Sequence, residues 1–506
     1  MLSVFDQGPH RPCPTPFNLA AHVLGRSEAQ PDASALEVLA TDGSERWSYG
    51  KLAAAVRGTG TGLRQAGFAP GDIVLMRLGN TVEFPIAYLG AIAAGIVPVP
   101  TSSQLTEAEV ACMVSDLSPA GILHDPDVAA PAHPRTIGVD ALNQMRDLPP
   151  IAFDMGDPER LAYVVYTSGT SGVPRAVGHA HRAIWARQMM VDGWYALTPE
   201  DRLCHAGAFN WTYTLGTGLM DPWTIGATAL IPKPGTDIAG LPDLLRDHYA
   251  TIFAAAPGVY RKLLQDHATL NLPDLRHGLC AGEKLSVALH EAWQAASGTD
   301  LFEAYGMSEC STFISSSPTH PAVGAALGQP QDGRRVAIIG PDGPVPRGEE
   351  GTIAVHRSDP GLMLGYLNAP EEIAARFQGD WFLTGDQGAM HADDQITYMG
   401  RSDDMMNAGG YRVSPLEVEA VLNVHPQITL SAVTEVEVKA DTRIIAAFYT
   451  GPQPVDEADL KTYVHEKLAH YKSPRAYIHL PALPTGANGK LLRRALRNHF
   501  KAKTHD

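Results

Sequence analysis

Short apolar runs of strand length alternate with longer helix-like segments in this 506-residue chain, and the alternation favours an α/β architecture. Residues 72–76 have the pattern of a strand, residues 82–94 that of a helix rich in Ala and Leu, and residues 95–100 that of another short strand. Around residues 333–356 the strands become shorter and turn sequences separate them, which predicts a β-rich subdomain. The chain is too long for one core, so we expect more than one compact unit.

A domain boundary is predicted near residues 400–404. The residues beyond this boundary are expected to form an α+β unit of about a hundred residues, a usual size for one domain. Its first helix is expected to begin at Pro415, with Ser414 as the N-cap residue and Glu417 completing a capping box. The last helix is expected over residues 490–500. The predicted division is an N-terminal domain over residues 1–400, a hinge over 401–404 and a C-terminal domain over 405–506.

Composition excludes several classes of partner. The formal net charge of −16 argues against a nucleic-acid or anionic-membrane surface, because such partners need a basic footprint. The five cysteines form no CxxC pair, which indicates neither a zinc site nor a disulfide framework and suits a reducing cytoplasm. The first 16 residues do not resemble a signal peptide, and no apolar stretch reaches membrane-spanning length. We expect a cytoplasmic protein with small-molecule partners, either a monomer or a homodimer.

The strongest chemical signal directly follows the apolar run 161–165 and reads Tyr166-Thr167-Ser168-Gly169-Thr170-Ser171-Gly172-Val173-Pro174-Arg175. Its glycines allow backbone N–H groups to turn toward an anion, and its hydroxyls can donate to phosphate oxygens. Taken alone, the stretch also fits a flexible surface loop. It lacks the spacing of the P-loop NTPases, and the chain has no GxGxxG opening a Rossmann unit. The phosphate chemistry therefore belongs to another class.

This stretch resembles the phosphate loop of the adenylate-forming superfamily, which includes acyl-CoA synthetases, peptide-synthetase adenylation domains and luciferases. Further segments that resemble the family come after it in the family's order, and the resemblance spans about Tyr49 to Arg497. It implies an α/β protein with a large N-terminal domain, made of two α/β subdomains and a β-rich subdomain, and a small mobile α+β C-terminal domain. The phosphate-binding residues that it implies are Thr167, Ser168, Gly169, Thr170, Ser171 and Gly172.

Two segments resemble the family's nucleotide-binding elements. Ala281-Gly282-Glu283 is similar to the loop that lines the adenine pocket, and Tyr305-Gly306-Met307-Ser308-Glu309 is similar to the YGxTE element. By this resemblance Tyr305 stacks on adenine and Ser308 donates to the α-phosphate. Glu309 is implied as a ligand of Mg²⁺, together with Thr170. Taken singly, Glu309 also fits an ordinary surface acid.

Asp386 lies in a segment similar to the family's TGD element, in which the carboxylate accepts both ribose hydroxyls. Residues 400–404 resemble the linker between the domains, with Arg401 as a second ribose contact and Asp403 as the hinge. The alternatives are a turn residue at Asp386 and a surface ion pair between Arg401 and Asp403.

The segment from Pro484 to Lys490 resembles the family's PxxxxGK element, whose lysine catalyses adenylation. A fixed ammonium near the α-phosphate can hold the substrate carboxylate and stabilise the charge that develops on phosphorus. The resemblance also implies that the small domain then rotates about Asp403 and withdraws Lys490. The rotation presents a segment to the pantetheine of coenzyme A, namely Ala408, Gly409, Gly410 and Tyr411. A simple turn is the alternative for its two glycines.

Arg175 departs from the family, which usually has lysine at this position. The planar guanidinium differs from the point charge of lysine, but it suits phosphate. We therefore expect activity to survive and group Arg175 with Glu309 and Lys490 as catalytic.

The acyl pocket is less clearly marked. Trp211 resembles the gate tryptophan of short- and medium-chain acyl-CoA synthetases, although an ordinary core aromatic fits equally well. No Asp lies between Ala206 and Gly218 to pair with a substrate ammonium, which disfavours an α-amino acid. We expect a largely apolar acyl group, aliphatic or aromatic. The predicted lining residues are Phe209, Trp211, Tyr213, Cys280 and Cys310.

Together these elements imply an ATP-dependent acid–thiol ligase that uses Mg·ATP to form an acyl-adenylate and transfers the acyl group to coenzyme A. Transfer to a separate carrier protein is the main alternative. A luciferase-like oxygenase is a weaker one. A non-catalytic nucleotide-binding regulator is disfavoured because both Glu309 and Lys490 are present.

Overall fold

The computed structural model describes residues 1–8, 10–41, 43–167, 174–408, 411–439, 442–486 and 491–504. The strands are β1 (Val4–Asp6), β2 (Ser34–Leu39), β3 (Glu45–Ser48), β4 (Ile73–Arg77), β5 (Val97–Pro100), β6 (Gly121–His124), β7 (Thr136–Gly138), β8 (Leu161–Thr167), β9 (Arg175–Ala180), β10 (Arg202–His205), β11 (Thr228–Pro232), β12 (Ile252–Ala255), β13 (His277–Ala281), β14 (Asp300–Met307), β15 (Ser311–Ser315), β16 (Ala326–Pro330), β17 (Arg335–Gly340), β18 (Gly343–Pro344), β19 (Glu350–His356), β20 (Gly365–Tyr366), β21 (Phe377–Gln378), β22 (Trp381–Met390), β23 (Ile396–Arg401), β24 (Met406–Ala408), β25 (Tyr411–Val413), β26 (Leu430–Lys439), β27 (Thr442–Thr450) and β28 (Ala476–His479).

The α-helices are α1 (Leu19–Val23), α2 (Tyr49–Gln65), α3 (Glu83–Ala93), α4 (Glu107–Leu117), α5 (Val139–Met145), α6 (Ala183–Ala186), α7 (Asp221–Ile225), α8 (Leu241–Asp247), α9 (Pro257–Asp266), α10 (Val287–Ser297), α11 (Glu372–Ala375), α12 (Pro415–Leu422), α13 (Glu457–His465) and α14 (Arg493–Thr504). Two segments are π-helical, π1 (Val191–Tyr195) and π2 (Thr214–Met220). Short 3₁₀ turns lie at Ile238–Gly240 and His470–Lys472.

A parallel sheet forms the centre of the N-terminal part, with strand order β14-β13-β12-β10-β11-β2. All residues of β12 and β13 are buried, as expected for parallel strands that are covered on both faces. Since parallel strands end at the same edge of a sheet, the carboxyl ends of β10, β12, β13 and β14 lie side by side. In open α/β sheets this edge is where ligands bind.

A second parallel sheet, with order β5-β4-β6-β7, packs with α2 and α3. Helix α3 is buried from Phe84 to Ala93, which explains why its sequence is apolar on all faces. The hairpin β8–β9 pairs with β20 and carries the predicted phosphate loop between its strands. The central parallel sheet and this second parallel sheet, each with its helices, match the predicted pair of α/β subdomains.

The β-rich subdomain is confirmed. Strands β15, β16, β23, β22, β19 and β17 continue the central sheet in antiparallel pairing. The C-terminal unit is a separate sheet of β26, β27 and β28, which packs with α12, α13 and α14 around two apolar clusters. The α+β prediction for this unit is therefore confirmed.

Two local predictions in the C-terminal unit are wrong. Helix α12 begins with Pro415 after Ser414, as expected, but the Ser414 hydroxyl makes no capping bond. It donates instead to the carbonyl of Met399, and the Glu417 carboxylate accepts a hydrogen bond from Lys472. Tertiary partners have replaced the local capping box. The last helix begins at Arg493, three residues after the predicted start.

None of the helices in the described ranges combines the length and apolarity that crossing a membrane requires.

Candidate active site

Three of the predicted nucleotide contacts meet beyond the end of the central sheet. Tyr305 lies in β14, and Asp386 and Arg401 are directly opposed in the β22–β23 ladder. The Tyr305 hydroxyl donates a hydrogen bond to Oδ2 of Asp386. The Arg401 guanidinium lies with Nη1 3.4 Å from Oδ1 of the same carboxylate. Tyr305 lies about eighty residues before Asp386 in the chain, and Arg401 lies fifteen residues after it. Both side chains nevertheless contact this one carboxylate.

The Asp386 carboxylate has spare accepting capacity. Asp386 is 5% exposed, and within the described residues its Oδ1 atom is buried without a hydrogen-bond partner. Burial raises the pKa of Asp386, while Arg401 and the Tyr305 hydroxyl act in the opposite direction. Buried polar atoms are normally satisfied, so this oxygen fits a ligand that brings hydroxyl donors. A carboxylate beside a guanidinium has the chemistry needed to bind a ribose diol.

Ser308 and Glu309 are each held by a side chain from a neighbouring sheet. The Tyr366 hydroxyl on β20 donates to Oε1 of Glu309 over 2.8 Å. His179 Nε2 donates to the carbonyl of Ser308 over 2.7 Å, and burial lowers the pKa of His179 to about 4. Sequence reasoning missed both partners, although His179 lies only a few residues beyond the predicted phosphate loop. They tie the Ser308–Glu309 segment to the β9–β20 pair.

The arrangement fits Mg²⁺ that arrives with a nucleotide. In the described part of the chain, no group of three or more His, Cys, Asp or Glu side chains could hold a metal ion by itself. Mg²⁺ commonly binds through one or two carboxylates plus substrate phosphates and water. Glu309 is a hard oxygen donor fixed by Tyr366, and it can supply that carboxylate.

The predicted phosphate loop lies between the paired ends of β8 and β9. Thr167 and Arg175 face each other at the end of the β8–β9 ladder. The predicted loop residues between them lie outside the described residues, namely Ser168, Gly169, Thr170, Ser171 and Gly172. Gly409, Gly410 and Lys490 also lie outside the described residues, as do the side chains of Ala408 and Tyr411.

Arg175 is paired with a carboxylate that the sequence did not single out. Its guanidinium binds Glu372 at the start of α11 in a bidentate manner, with Nε 2.8 Å from Oε2. The ion pair raises the pKa of Arg175 and lowers the pKa of Glu372. For Arg175 to bind phosphate as predicted, the guanidinium must either contact the phosphate and Glu372 together or release Glu372.

Substituting Glu372 is expected to favour ATP binding. Glu372→Gln removes a competing anion, so KM for ATP should fall by at most about fivefold, as for a surface ion pair, with little change in kcat. Steady-state kinetics over a range of ATP concentrations measure this. Glu371→Gln is the matched control, because the Glu371 carboxylate acts on Arg175 more weakly than Glu372 does, and it should change KM less. A rise in KM for ATP in Glu372→Gln would mean that Glu372 positions Arg175 instead of competing for it.

The adenine loop leaves the carboxyl end of β13. Ala281 is the last residue of the strand, and Gly282 has a φ of +97°, which glycine adopts without strain. The Glu283 carboxylate lies 3.5 Å from Arg261. Gly306 and Met307 continue β14 next to this turn. The two predicted adenine-binding elements therefore leave neighbouring strands of the sheet.

The predicted acyl-pocket residues belong to several apolar clusters. Phe209 packs in the core around α3, Cys280 packs beside Tyr260 and Trp293, and Cys310 packs in the β-rich subdomain. Cys310 places its thiol 3.7 Å from Asp359. That these residues line one acyl pocket stays a prediction. Trp211 and Tyr213 do lie together, with ring centroids 5.1 Å apart.

A third ring, His205, completes the cluster with Trp211 and Tyr213. His205 is the last residue of β10, and its ring centroid lies 4.5 Å from that of Tyr213 and 6.0 Å from that of Trp211. Each pair of rings is close to perpendicular. Sequence reasoning missed His205, since one polar residue at the end of an apolar strand gives no distinct signal.

A buried ion pair holds the two π-helical segments together. Arg187 binds Asp221 through two nitrogen atoms and also donates to Tyr195 on π1 and Thr217 on π2. The Asp221 carboxylate raises the pKa of Arg187 and also accepts the Tyr195 hydroxyl. Irregular helices of this kind often occur at functional sites. The pair fixes the segments that flank Tyr213.

Breaking this pair should destabilise the N-terminal part of the protein. Asp221→Ala leaves a buried guanidinium without its carboxylate, so the free energy of unfolding should fall by about 3–5 kcal/mol. Urea unfolding followed by tryptophan fluorescence measures the loss. The exposed pair of Asp243 and Arg246 supplies the control, since Asp243→Ala should cause no measurable loss. A loss of similar size in both variants would contradict the role given to Asp221.

Residues 401–404, the predicted hinge, contact elements of the N-terminal sheet and of the C-terminal unit. Arg401 ends β23 in the N-terminal sheet, whereas the Asp404 carboxylate accepts a hydrogen bond from Arg497 on α14 over 2.9 Å. Asp403 lies between them in a turn, with its side chain 55% exposed and 3.4 Å from Arg401. Contacts with the N-terminal sheet and contacts with α14 thus adjoin each other within residues 401–404.

The chain matches known sequence families over most of its length. A model of the AMP-binding enzyme family matches residues 25–367, and one of the AMP-binding enzyme C-terminal domain matches residues 417–490. The chain is 28% identical to the 3-hydroxybenzoate–CoA ligase of Aromatoleum sp. (strain CIB), over 96% of this chain and 97% of the relative. It is also 28% identical to the benzoate–CoA ligase of Thauera aromatica, over 98% of this chain and 99% of the relative.

A solved structure shows the same fold. The anthranilate CoA ligase AuaEII in complex with anthranoyl-AMP superposes with a TM-score of 0.87 at 25% identity, over 97% of this chain and 99% of that one. The likeness covers both the N-terminal part and the C-terminal unit.

Proposed function

Since the chain belongs to the AMP-binding enzyme family, in its acyl-CoA synthetase branch, we propose that it is an ATP-dependent acid–thiol ligase. It converts a carboxylic acid to an acyl-adenylate and then to the coenzyme A thioester. The observation that carries the proposal is the Tyr305–Asp386–Arg401 cluster, in which a buried carboxylate has an oxygen that no described residue hydrogen-bonds. ATP and coenzyme A are the co-substrates.

In the first step a carboxylate oxygen of the acid attacks the α-phosphorus of ATP, and the bond to pyrophosphate breaks. Asp386 accepts the ribose hydroxyls, Arg401 donates to the ribose, and Tyr305 lies against the adenine. Glu309 would hold Mg²⁺, which would supply neutralisation of the phosphate charge. Lys490 stabilises the charge that develops on phosphorus. Arg175 binds phosphate after it releases Glu372. The hydroxyl and backbone N–H groups of the loop from Thr167 to Gly172 donate hydrogen bonds to the phosphate oxygens.

In the second step the thiol of coenzyme A attacks the acyl carbon, and AMP leaves. We assign residues 1–400 to the N-terminal domain, 401–404 to the hinge and 405–506 to the lid that rotates about Asp403. The contacts of Asp404 with α14 and of Arg401 with β22 support this division. After rotation, residues 408–411 contact the pantetheine. The protein is proposed to be either a monomer or a homodimer.

The acid is proposed to be aromatic. The relatives include a 3-hydroxybenzoate, a benzoate and an anthranilate CoA ligase, and each of these is named for a benzoic acid. In this chain, the perpendicular rings of Trp211 and Tyr213 offer faces and edges that suit an aryl group. A short- or medium-chain acid is the second candidate, supported by similarity to mitochondrial ACSM3 acyl-coenzyme A synthetase.

The compartment is proposed to be the cytoplasm. The five cysteines are all free thiols, as expected in a reducing environment.

The test is a pyrophosphate-release screen over benzoic, phenylalkanoic, short-chain, medium-chain and branched acids, each with coenzyme A, with a holo-carrier protein or with neither. We expect aromatic acids to give the highest rates and the thioester to form with coenzyme A. Thioester formation only with the carrier would favour the alternative acceptor. Release that does not depend on any acid would contradict the proposal.

A further inference from the structure

His205 carries a buried N–H group for which no described residue provides a hydrogen-bond acceptor. The side chain is fully buried. Its Nδ1 atom accepts the Gly207 backbone N–H over 2.9 Å and lies 3.1 Å from the Thr214 hydroxyl. Burial lowers the pKa of His205 to about 3, so the ring is neutral. Because Nδ1 accepts, the proton of the neutral ring lies on Nε2.

Within the described residues, Nε2 of His205 has no hydrogen-bond partner, and the same holds for the hydroxyl of Tyr213. An unsatisfied buried donor is costly, so two such groups in contact suit a site that a ligand with polar atoms completes. The two rings are in contact, with centroids 4.5 Å apart.

The surroundings place these groups at the ligand-binding edge. His205 ends β10, which belongs to the same parallel sheet as β13 and β14, whose ends carry the adenine-binding elements. Tyr213 packs against the apolar cluster that contains Ala281 and Ala304, next to Gly282 and Tyr305. It immediately precedes π2, and Trp194 on π1 stacks parallel to it at 6.1 Å. Trp211 is half-buried and lies beside both rings.

We infer that His205 and Tyr213 recognise an oxygen substituent on the acyl group, so that the preferred acid is a hydroxy- or alkoxy-substituted aryl carboxylic acid. The inference rests on the proposed function and refines it, since the sequence indicated only a largely apolar acid. The Nε2–H of His205 requires an acceptor, which an ether or hydroxyl oxygen supplies and an aromatic amine supplies poorly. The Tyr213 hydroxyl can donate to the same kind of substituent or accept from it.

The experiment measures kcat/KM for coenzyme A-dependent pyrophosphate release with benzoate and with its hydroxy, methoxy and amino derivatives at each ring position. For at least one hydroxybenzoate or methoxybenzoate, kcat/KM should be about tenfold or more higher than for benzoate and for the aminobenzoate substituted at the same ring position. The reason is that sites built for a hydrogen bond reject analogues that lack it. Benzoate or an alkyl acid as the best substrate overturns the inference while leaving the proposed ligase intact. Pyrophosphate release with no acid overturns both.

Variants assign the preference to the two side chains. His205→Phe should remove most of the preference for the oxygen substituent, and His205→Gln, which keeps an N–H donor, should restore part of it. Tyr213→Phe removes only a hydroxyl and should reduce the preference even if His205→Phe fails to fold. Tyr260→Phe is the matched control, because the Tyr260 hydroxyl already donates to backbone carbonyls of Phe253 and Leu279. An unchanged preference in Tyr213→Phe and in a folded His205→Phe, or an equal loss in Tyr260→Phe, overturns the inference.

Discussion

Lys490→Ala is expected to slow acyl-adenylate formation by about two to three orders of magnitude, the usual effect of removing a preorganised charge at a transition state. The same variant should make the thioester from supplied acyl-AMP and coenzyme A at nearly the wild-type rate, because the lysine acts only in the first step. The two half-reactions are measured separately, by ATP–pyrophosphate exchange and by AMP release from synthetic acyl-AMP.

Lys472→Ala is a suitable control for Lys490→Ala. Lys472 lies in the same C-terminal unit and pairs with Glu417, so its loss removes a cation without touching the proposed chemistry. We expect both half-reactions to be nearly normal in this variant. An equal loss of both half-reactions in Lys490→Ala would contradict its assignment to adenylation.

Asp386→Asn is expected to lower kcat/KM for ATP by about a hundredfold or more. The change keeps the shape of the side chain but removes the charge that accepts two ribose hydroxyls, and hydrogen bonds to charged groups are each worth about 1.5–3 kcal/mol. It also removes one of the two carboxylates that lie 3.4 Å from the Arg401 guanidinium. Steady-state kinetics with ATP, 2′-deoxy-ATP and 3′-deoxy-ATP measure the effect.

The deoxynucleotides make the interpretation of Asp386→Asn specific. Wild-type protein should discriminate strongly against both analogues, and the variant should lose most of that discrimination. Asp403→Asn, a change of the exposed carboxylate on the other side of Arg401, should preserve it. If Asp386→Asn retained full discrimination against both analogues, Asp386 would not be the ribose ligand.

Local sequence patterns predicted much of the fold. Helix α3 and strands β4 and β5 lie within one or two residues of their predicted ranges, because their apolar patterns are set by burial within each element. The capping box at Ser414 was wrong for the opposite reason. Its two side chains found partners in Met399 and Lys472, which are distant in sequence, and tertiary contacts of this kind override local rules.

The site could be predicted only where a linear motif carries it. Asp386 and Arg401 each stand in a recognisable segment, but neither segment indicates that they face each other across a ladder or that Tyr305 reaches the same carboxylate. Glu372 and His205 carry no motif. Their proximity to Arg175 and Tyr213 depends on how distant strands and helices pack, which a single sequence does not encode in its local pattern.

One measurement tests the central claim most directly: a single turnover with ATP labelled at the α-phosphorus, an accepted acid and no coenzyme A, followed by addition of coenzyme A. The account predicts that the label passes from ATP to an acyl-adenylate bound to the enzyme, and that coenzyme A then releases it as AMP while the acyl thioester forms. Acid-dependent formation of labelled ADP, without an adenylate intermediate, would contradict it.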